Sequence, residues 1–185
     1  LSFFSSPRIS PGESSRVLLR KKCQMKTTIS ISPIWICFQK AGLPTKLENI
    51  RADDKKLQKW TAFKTQTIDD FSMELAEEIR YYQPFLMTAR NMYAQVALSA
   101  YAENWYAQSL ERSLDHYDFT AIMAMPYMEQ VEDKDKFFKD LVNRVSKYPN
   151  GLKKTVFEIQ ALDWRNNNKV SSEEMAETFK SLYQQ

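Results

Sequence analysis

The stretch Asp118-Phe-Thr-Ala-Ile-Met-Ala-Met-Pro-Tyr-Met-Glu129 decides the fold that this sequence predicts. Its apolar run is typical of a buried parallel strand, because helices cover both faces of such a sheet. Pro126 cannot donate to a strand ladder, so it marks the end of the strand. In a (β/α) barrel the residues just past a strand line the active-site face, and Tyr127 and Glu129 are expected there. A core strand followed by an ordinary polar loop is the alternative.

Further segments repeat this design of a short strand followed by a helix. We expect strands at residues 85–91, 119–125 and 155–162, and helices at 101–114, 133–148 and 171–183. Short strands that alternate with helices indicate βαβ units and a parallel sheet. The predicted fold class is therefore α/β, with parallel strands in a partial (β/α) barrel of three to four βα units. A complete barrel needs about 200 to 250 residues, and this chain has 185.

A long helix is predicted upstream of these units, from Asp53 or Asp54, which can cap it, to Tyr82. Pro84 prevents the helix from continuing. Its apolar residues keep helical spacing, so we expect them to face the core. They are Leu57, Trp60, Phe63, Ile68, Phe71, Leu75, Ile79 and Tyr82.

The charge of the chain is divided unevenly. Residues 1–40 have a net charge of +6, whereas the remaining 145 residues have a net charge of −3. The first segment is rich in Ser and Pro and has no sustained period, so we expect an irregular basic arm there, with at most a short strand at residues 29–38. A single domain is expected over residues 41–185. The basic cluster Arg20-Lys-Lys22 is short and lacks interleaved aromatic residues, so no nucleic acid partner is expected.

Several classes of site and partner are disfavoured by composition. Three glycines leave no room for a dinucleotide or phosphate-binding loop, and one His with Cys23 and Cys37 makes a zinc site improbable, so we expect no cofactor and no metal. No apolar run approaches the length of a membrane span, about 20 residues. The alternative for residues 1–40 is a genuine basic arm that docks on nucleic acid or membrane, with strongly salt-dependent binding.

The loops that follow the parallel strands should converge on one face and form a pocket there. They carry polar groups beside aromatic rings, which suits a carbohydrate, because hydroxyls need planar donors and acceptors and sugar rings stack on aromatic faces. The candidate binding residues are Arg90, Asn91, Tyr93, Tyr127, Gln160 and Trp164. The candidate catalytic carboxylates are Glu129, Glu158 and Asp163. For Arg90 a pairing with a nearby carboxylate is the alternative, and for Glu158 a buried ion pair.

Five sequence blocks carry a resemblance to a known family. They are Lys40-Ala-Gly-Leu-Pro44, Thr88-Ala-Arg-Asn-Met-Tyr-Ala94, Glu103-Asn-Trp-Tyr-Ala-Gln108, Tyr117-Asp-Phe-Thr-Ala-Ile-Met-Ala-Met-Pro-Tyr-Met-Glu129 and Thr155-Val-Phe-Glu-Ile-Gln-Ala-Leu-Asp-Trp164. In this order they resemble the C-terminal domain of the PgaB/HmsF family. That family comprises periplasmic poly-β-1,6-N-acetyl-D-glucosamine N-deacetylases of bacterial biofilm systems.

The resemblance implies a (β/α) barrel related to glycoside hydrolases that binds and hydrolyses the partially deacetylated polysaccharide. It implies a location in the periplasm or at the outer membrane, and a metal-dependent deacetylase domain upstream in the full-length protein. By position it also implies that Trp105, Tyr106 and Trp164 line the sugar groove. A non-catalytic carbohydrate-binding fragment is the alternative.

The sequence departs from this family in its first part. Just before the Ala-Gly-Leu-Pro block the family carries an acidic motif of the His-Asp-Asp-Ala kind, which supplies a carboxylate for glycan cleavage, but here the stretch is basic and serine-rich. Residues 25–31, read one base earlier, can encode an acidic segment, so we expect a shifted reading frame there. We therefore expect this chain to lack an essential catalytic residue. The chain does not begin with Met, and we expect it to be part of a longer product.

Overall fold

The computed structural model describes Gln39, residues 42–44 and residues 46–183. The expected basic arm and its short strand lie outside this part of the chain, apart from Gln39. The chain divides into two compact units, residues 1–56 and residues 57–185. In the first unit, helix α1 spans Leu47–Arg51, and Leu43 and Ile50 are buried. The carboxylate of Asp53 accepts the backbone N–H groups of Lys55 and Lys56 at 3.0 and 3.3 Å, so Asp53 caps the next helix as predicted.

That next helix, α2 (Asp54–Tyr82), confirms the predicted element but not its orientation. The apolar positions from Ile68 to Tyr82 are exposed instead of core-facing, with Leu75 retaining 49% of its accessible surface. The buried residues of α2 are Thr61, Thr65, Asp69 and Ala76. Specific polar contacts account for this, since Thr61 donates to Asn104 at 2.5 Å and Arg112 donates to Asp69 at 2.7 Å. The prediction of a core-facing stripe was therefore wrong from Ile68 to Tyr82, whereas Leu57, Trp60 and Phe63 are half-buried.

Three parallel strands form the sheet, as predicted, in the order β1-β2-β3. They are β1 (Ala89–Tyr93), β2 (Phe119–Ala124) and β3 (Thr155–Ile159). The first strand begins later than expected, and Phe85 and Met87 are exposed in the turn before it. The third strand ends earlier than expected, at Ile159. After it, β4 (Leu162–Asp163) and β5 (Asn168–Lys169) pair antiparallel and form a small hairpin.

The predicted helix over residues 101–114 is interrupted. The connection from β1 to β2 consists of α3 (Ala94–Leu98), a 3-10 turn (Ala100–Ala102), α4 (Glu103–Tyr106) and α5 (Leu110–His116). Ala107 ends α4 in the left-handed region with φ 49°, an unfavourable conformation for a residue with a Cβ. The next residue explains the break. Gln108 accepts from the Tyr93 N–H at 3.2 Å and donates to the Asn91 carbonyl at 3.0 Å, and so bridges the backbone of edge strand β1.

Helices α6 (Lys134–Val145) and α8 (Ser172–Tyr183) agree with the predictions, although α6 ends earlier than expected. Between them lies a short helix that was not predicted, α7 (Gly151–Lys154). Asp133 caps α6 by accepting the Lys136 N–H at 2.9 Å, and Ser171 accepts the Glu174 N–H at 3.1 Å at the start of α8. Within the described residues no helix is both long and apolar enough to cross a bilayer.

The hydrophobic core lies between one face of the sheet and the helices beside it. Its central residues are Met92, Ile122 and Ala124 from the strands and Phe137, Phe138, Leu141 and Val145 from α6. Successive side chains of a strand point to opposite faces. The odd-numbered residues of β1 and β2 therefore point away from this core, and this orientation determines which side chains reach the open face of the sheet.

Two leucine truncations test this assignment of inside and outside. Leu141→Ala empties a fully buried position in α6, and we expect it to lower the free energy of unfolding by about 2–5 kcal/mol. Leu75→Ala on the outward face of α2 should cost less than about 1 kcal/mol, because that side chain is half exposed. Urea denaturation of both variants gives the comparison. Equal losses would show that α2 turns its apolar face inward.

Candidate functional site

The open face of the sheet carries two of the predicted site residues in direct contact. Asn91 and Glu158 both point away from the hydrophobic core, and the Asn91 amide donates to the two carboxylate oxygens of Glu158 at 3.3 and 3.1 Å. Tyr93 and Met123 share a register position, and Met123 also pairs with Glu158. Glu158 is thus half-buried against a neutral amide, and no salt bridge reaches it from the described residues. The ion pair considered as its alternative is not formed there.

Arg90 lies elsewhere. The sequence had suggested that Arg90 and Asn91 lie in the loop after β1. Both instead lie inside the strand, because β1 starts at Ala89. Arg90 alternates with Asn91 and points to the helix-facing side, where its guanidinium carbon is 5.9 Å from the ring centroid of Tyr117. The structure therefore does not bring Arg90 together with the residues of the open face.

Aromatic side chains gather beyond the end of β1. The rings of Tyr93 and Tyr106 lie 4.4 Å apart between centroids, which fixes Tyr106 beside the strand end. Trp105 is 65% exposed and lines a cavity of about 240 Å³ together with Gln95 and Tyr101. Leu98, Ser99 and Ala102 complete its lining, so two aromatic rings lie there beside the polar groups of Gln95 and Ser99.

The surroundings of Glu129 favour the protonated form of its carboxyl. It lies half-buried in the loop after β2, and burial raises the pKa of its carboxyl above the ordinary value of 4.5. A hydrogen bond from the side chain of Gln95 lowers the pKa in part, because it favours the charged form. Gln95 thus links Glu129 to the cavity that Trp105 lines.

Gln160 and Asp163 are engaged within the protein. Gln160 is buried, accepts the Met128 N–H at 3.1 Å and donates to the Leu162 carbonyl at 2.7 Å, so it joins the loops after β2 and β3. Asp163 is buried as well, and Arg165 donates to both of its carboxylate oxygens at 2.9 Å. These bonds from Arg165 hold the pKa of Asp163 below its usual value of 3.8. Both side chains therefore hold segments of the protein together.

Tyr127 is also held by its neighbours. Its hydroxyl donates to Glu174 at 2.7 Å and accepts from Lys134 at 2.7 Å, and Lys134 forms a salt bridge with Glu174 at 2.5 Å. The Arg165 guanidinium carbon lies 5.8 Å from the centroid of the Tyr127 ring. The loops after β2 and β3 therefore meet on one side of the molecule, as parallel strands require. Trp164 lies in this second loop and is 58% exposed.

The sequence prediction missed Gln95, Tyr101 and Gln108. Gln95 and Tyr101 follow β1 directly, so the rule that strand-end loops line a site could have identified both. Gln108 could not be found in this way, because its partners are backbone atoms of β1. Among residues 46–183, no group of three His, Cys, Asp or Glu side chains is arranged to hold a metal ion.

Comparison with known families identifies the chain. The model of GHL13, described as hypothetical glycosyl hydrolase family 13, matches residues 31–185. The chain belongs to this family. The match begins within the basic segment and includes all three parallel strands and the loops that follow them.

Individual relatives agree with this GHL13 assignment. Two curated proteins named poly-beta-1,6-N-acetyl-D-glucosamine N-deacetylase, from Escherichia coli strain K12 and from Escherichia coli O157:H7, are each 34% identical over 151 residues, covering 78% of this chain. The solved PgaB (BpsB) glycoside hydrolase domain from Bordetella bronchiseptica superposes with a TM-score of 0.74 at 38% identity, covering 80% of this chain. The predicted resemblance to the PgaB family is confirmed. The chain spans 22% of the length of those curated relatives and 42% of the solved chain.

The ionisation of Glu129 gives a test of the geometry around it. In a carboxyl-selective NMR titration we expect Glu129 to titrate above 4.5 and Asp163 to titrate below 3.8. Gln95→Ala removes a hydrogen bond to the charged form, so the midpoint of Glu129 should rise further. Gln66→Ala, an exposed glutamine of α2, is the control and should leave it in place. A midpoint for Glu129 that is unchanged in Gln95→Ala would contradict the contact.

Proposed function

We propose that this chain takes part in the binding and hydrolysis of partially deacetylated poly-β-1,6-N-acetyl-D-glucosamine, as the C-terminal portion of a PgaB-like N-deacetylase. One observation carries the proposal. At the carboxyl end of the parallel sheet, the side chain of Gln95 forms a hydrogen bond with Glu129 and also lines the same cavity as the exposed Trp105. In a chain of a glycosyl hydrolase family, this is where substrate is expected.

The aromatic residues supply the binding surface in this proposal. Trp105 and Trp164 each expose more than half of their surface, although a tryptophan is costly to leave in water. The faces of β-linked sugar rings are apolar and would cover these indoles. Tyr106, whose ring packs at a tilt against Tyr93, adds a further aromatic side chain next to Trp105. Such a row suits a linear polysaccharide, which offers one ring after another.

The carboxylates divide into separate roles. Glycoside hydrolysis usually needs one carboxylic acid that protonates the leaving oxygen and a second carboxylate that acts as base or nucleophile. Glu129, whose pKa burial raises, keeps its proton to higher pH and suits the acid. Glu158, held by the amide of Asn91, suits the second carboxylate. Asp163 is the weakest candidate, because Arg165 already neutralises it.

The full-length relatives suggest the biological setting. Their name is that of an N-deacetylase, so we propose a deacetylase domain as the partner of this region in the complete protein, with the polysaccharide as the shared substrate. A periplasmic or outer-membrane location follows from the same relationship.

Binding is tested with a β-1,6-linked oligosaccharide of N-acetylglucosamine that has been partly deacetylated. By isothermal titration calorimetry we expect Trp105→Ala and Trp164→Ala each to weaken binding by about tenfold, because a sugar ring loses its stacking surface. Phe71→Ala is the matched control, since Phe71 on α2 is as exposed as Trp164. Equal affinity of all three variants would refute a site at this face.

Turnover separates the hydrolase from its alternative. Glu129→Gln keeps the shape and polarity of the side chain but cannot donate an acidic proton, so it should abolish release of shorter oligosaccharides while binding persists. Chromatography of the reaction products measures this. Binding without any release by the unsubstituted chain would instead favour the second candidate, a carbohydrate-binding fragment without catalysis. That outcome would agree with the basic segment that stands where the family has an acidic motif.

A further inference from the structure

Trp164 is presented by a very small hairpin. Strands β4 and β5 contain two residues each and pair at Leu162–Lys169 and Asp163–Asn168. Asn167 in the turn adopts the left-handed region with φ 58°. A two-stranded ribbon of this size is marginal alone in water, so its position depends on contacts with the surroundings.

Asp163 and Arg165 supply the first of these contacts. The Asp163 carboxylate accepts the Arg165 backbone N–H at 3.1 Å, its Nε at 2.9 Å and its terminal Nη2 at 2.9 Å. The Asp163 side chain is only 6% exposed, so this charge is neutralised inside the protein. The two residues flank Trp164 on either side, and together they close the chain into a tight loop around it.

The second contact joins this loop to the rest of the site. The same guanidinium that binds Asp163 has its carbon atom 5.8 Å from the centroid of the Tyr127 ring, within the range of a cation–π interaction. Tyr127 is in turn fixed by Lys134 at the start of α6 and by Glu174 at the start of α8. Arg165, which binds Asp163 within the hairpin, thus also contacts the loop after β2, in addition to the hydrogen bonds by which Gln160 joins the same two loops.

We propose that Arg165 is a positioning residue, which holds Trp164 at the rim of the site by binding Asp163 and the ring of Tyr127 at once. This inference rests on the proposed binding of the polysaccharide, for which Trp164 would be a stacking surface. Arg165 acts through Trp164 and needs no contact with the sugar. Its planar fork is essential for the role, because lysine keeps the charge but cannot bind both oxygens of Asp163 in this geometry.

The experiment compares Arg165→Lys with the unsubstituted chain, both labelled with 5-fluorotryptophan. The sequence has four tryptophans, and the fluorine resonance of Trp164 is assigned by its loss in Trp164→Phe. Without ligand, Arg165→Lys should shift or broaden the resonance of Trp164 and leave those of Trp60 and Trp105 in place. The Kd of Arg165→Lys for the partly deacetylated oligosaccharide should be about fivefold higher than that of the unsubstituted chain, because part of the binding free energy is then used to order Trp164.

Arg112→Lys is the matched control. Arg112 binds Asp69, whose side chain is 5% exposed, so it also clamps a buried aspartate, but between α5 and α2. We expect both Arg112→Lys and Arg165→Lys to lower the melting temperature, because each weakens the pairing of a buried aspartate, but Arg112→Lys should leave the Trp164 resonance and the Kd unchanged. A Trp164 resonance that is identical in Arg165→Lys and in the unsubstituted chain overturns the proposal. So does an unchanged Kd for Arg165→Lys when Trp164→Ala loses affinity.

These measurements also separate this inference from the proposed function. If the unsubstituted chain does not bind the oligosaccharide, the proposed function fails at this site. The fluorine spectra recorded without ligand still decide whether Arg165 positions Trp164.

Discussion

The parallel pairing of β1, β2 and β3 is the constraint on which the rest of this structure depends. Parallel strands end at the same edge, so the segments that contain Gln95, Glu129 and Trp164 gather there although they are far apart in sequence. The pairing also assigns the two faces of the sheet. Ile122 and its neighbours bury the face under α6, and this burial supplies the stability that lets the opposite face carry polar groups such as Asn91 and Glu158.

Carboxylates of the same chemistry acquire different properties through their neighbours. Asp69, Asp118 and Asp163 each bind an arginine, and the pKa values of Asp118 and Asp163 are lowered mainly by hydrogen bonds to the charged form. Glu129 meets a neutral amide in a half-buried loop, and its pKa is raised. The three aspartates hold segments of the chain together through these ion pairs. The raised pKa of Glu129 lets its carboxyl hold a proton to higher pH than a free glutamate does, which is the direction that favours a general acid.

Much of the fold could be predicted because the informative signals are local. The apolar run before Pro126 and the capping residues Asp133 and Ser171 fix β2, α6 and α8. Periodicity revealed two faces of α2 but not which one is buried, because that depends on distant partners such as Asn104 and Arg112. The same limit applies at the site, where the strand-end rule selects Gln160 and Asp163 but cannot show that Met128 and Arg165 already occupy them.

The side-chain amide of Gln108 has an effect on the outline of the sheet. The amide is hydrogen-bonded to the Asn91 carbonyl and to the Tyr93 N–H. A further strand beside β1 could therefore not pair with these two groups, which lie in the carboxyl-terminal part of β1. At this point a side chain, and not another strand, covers the outer hydrogen-bonding groups of β1. The Gln108 amide thus protects the edge of the sheet there from pairing with a strand of another molecule.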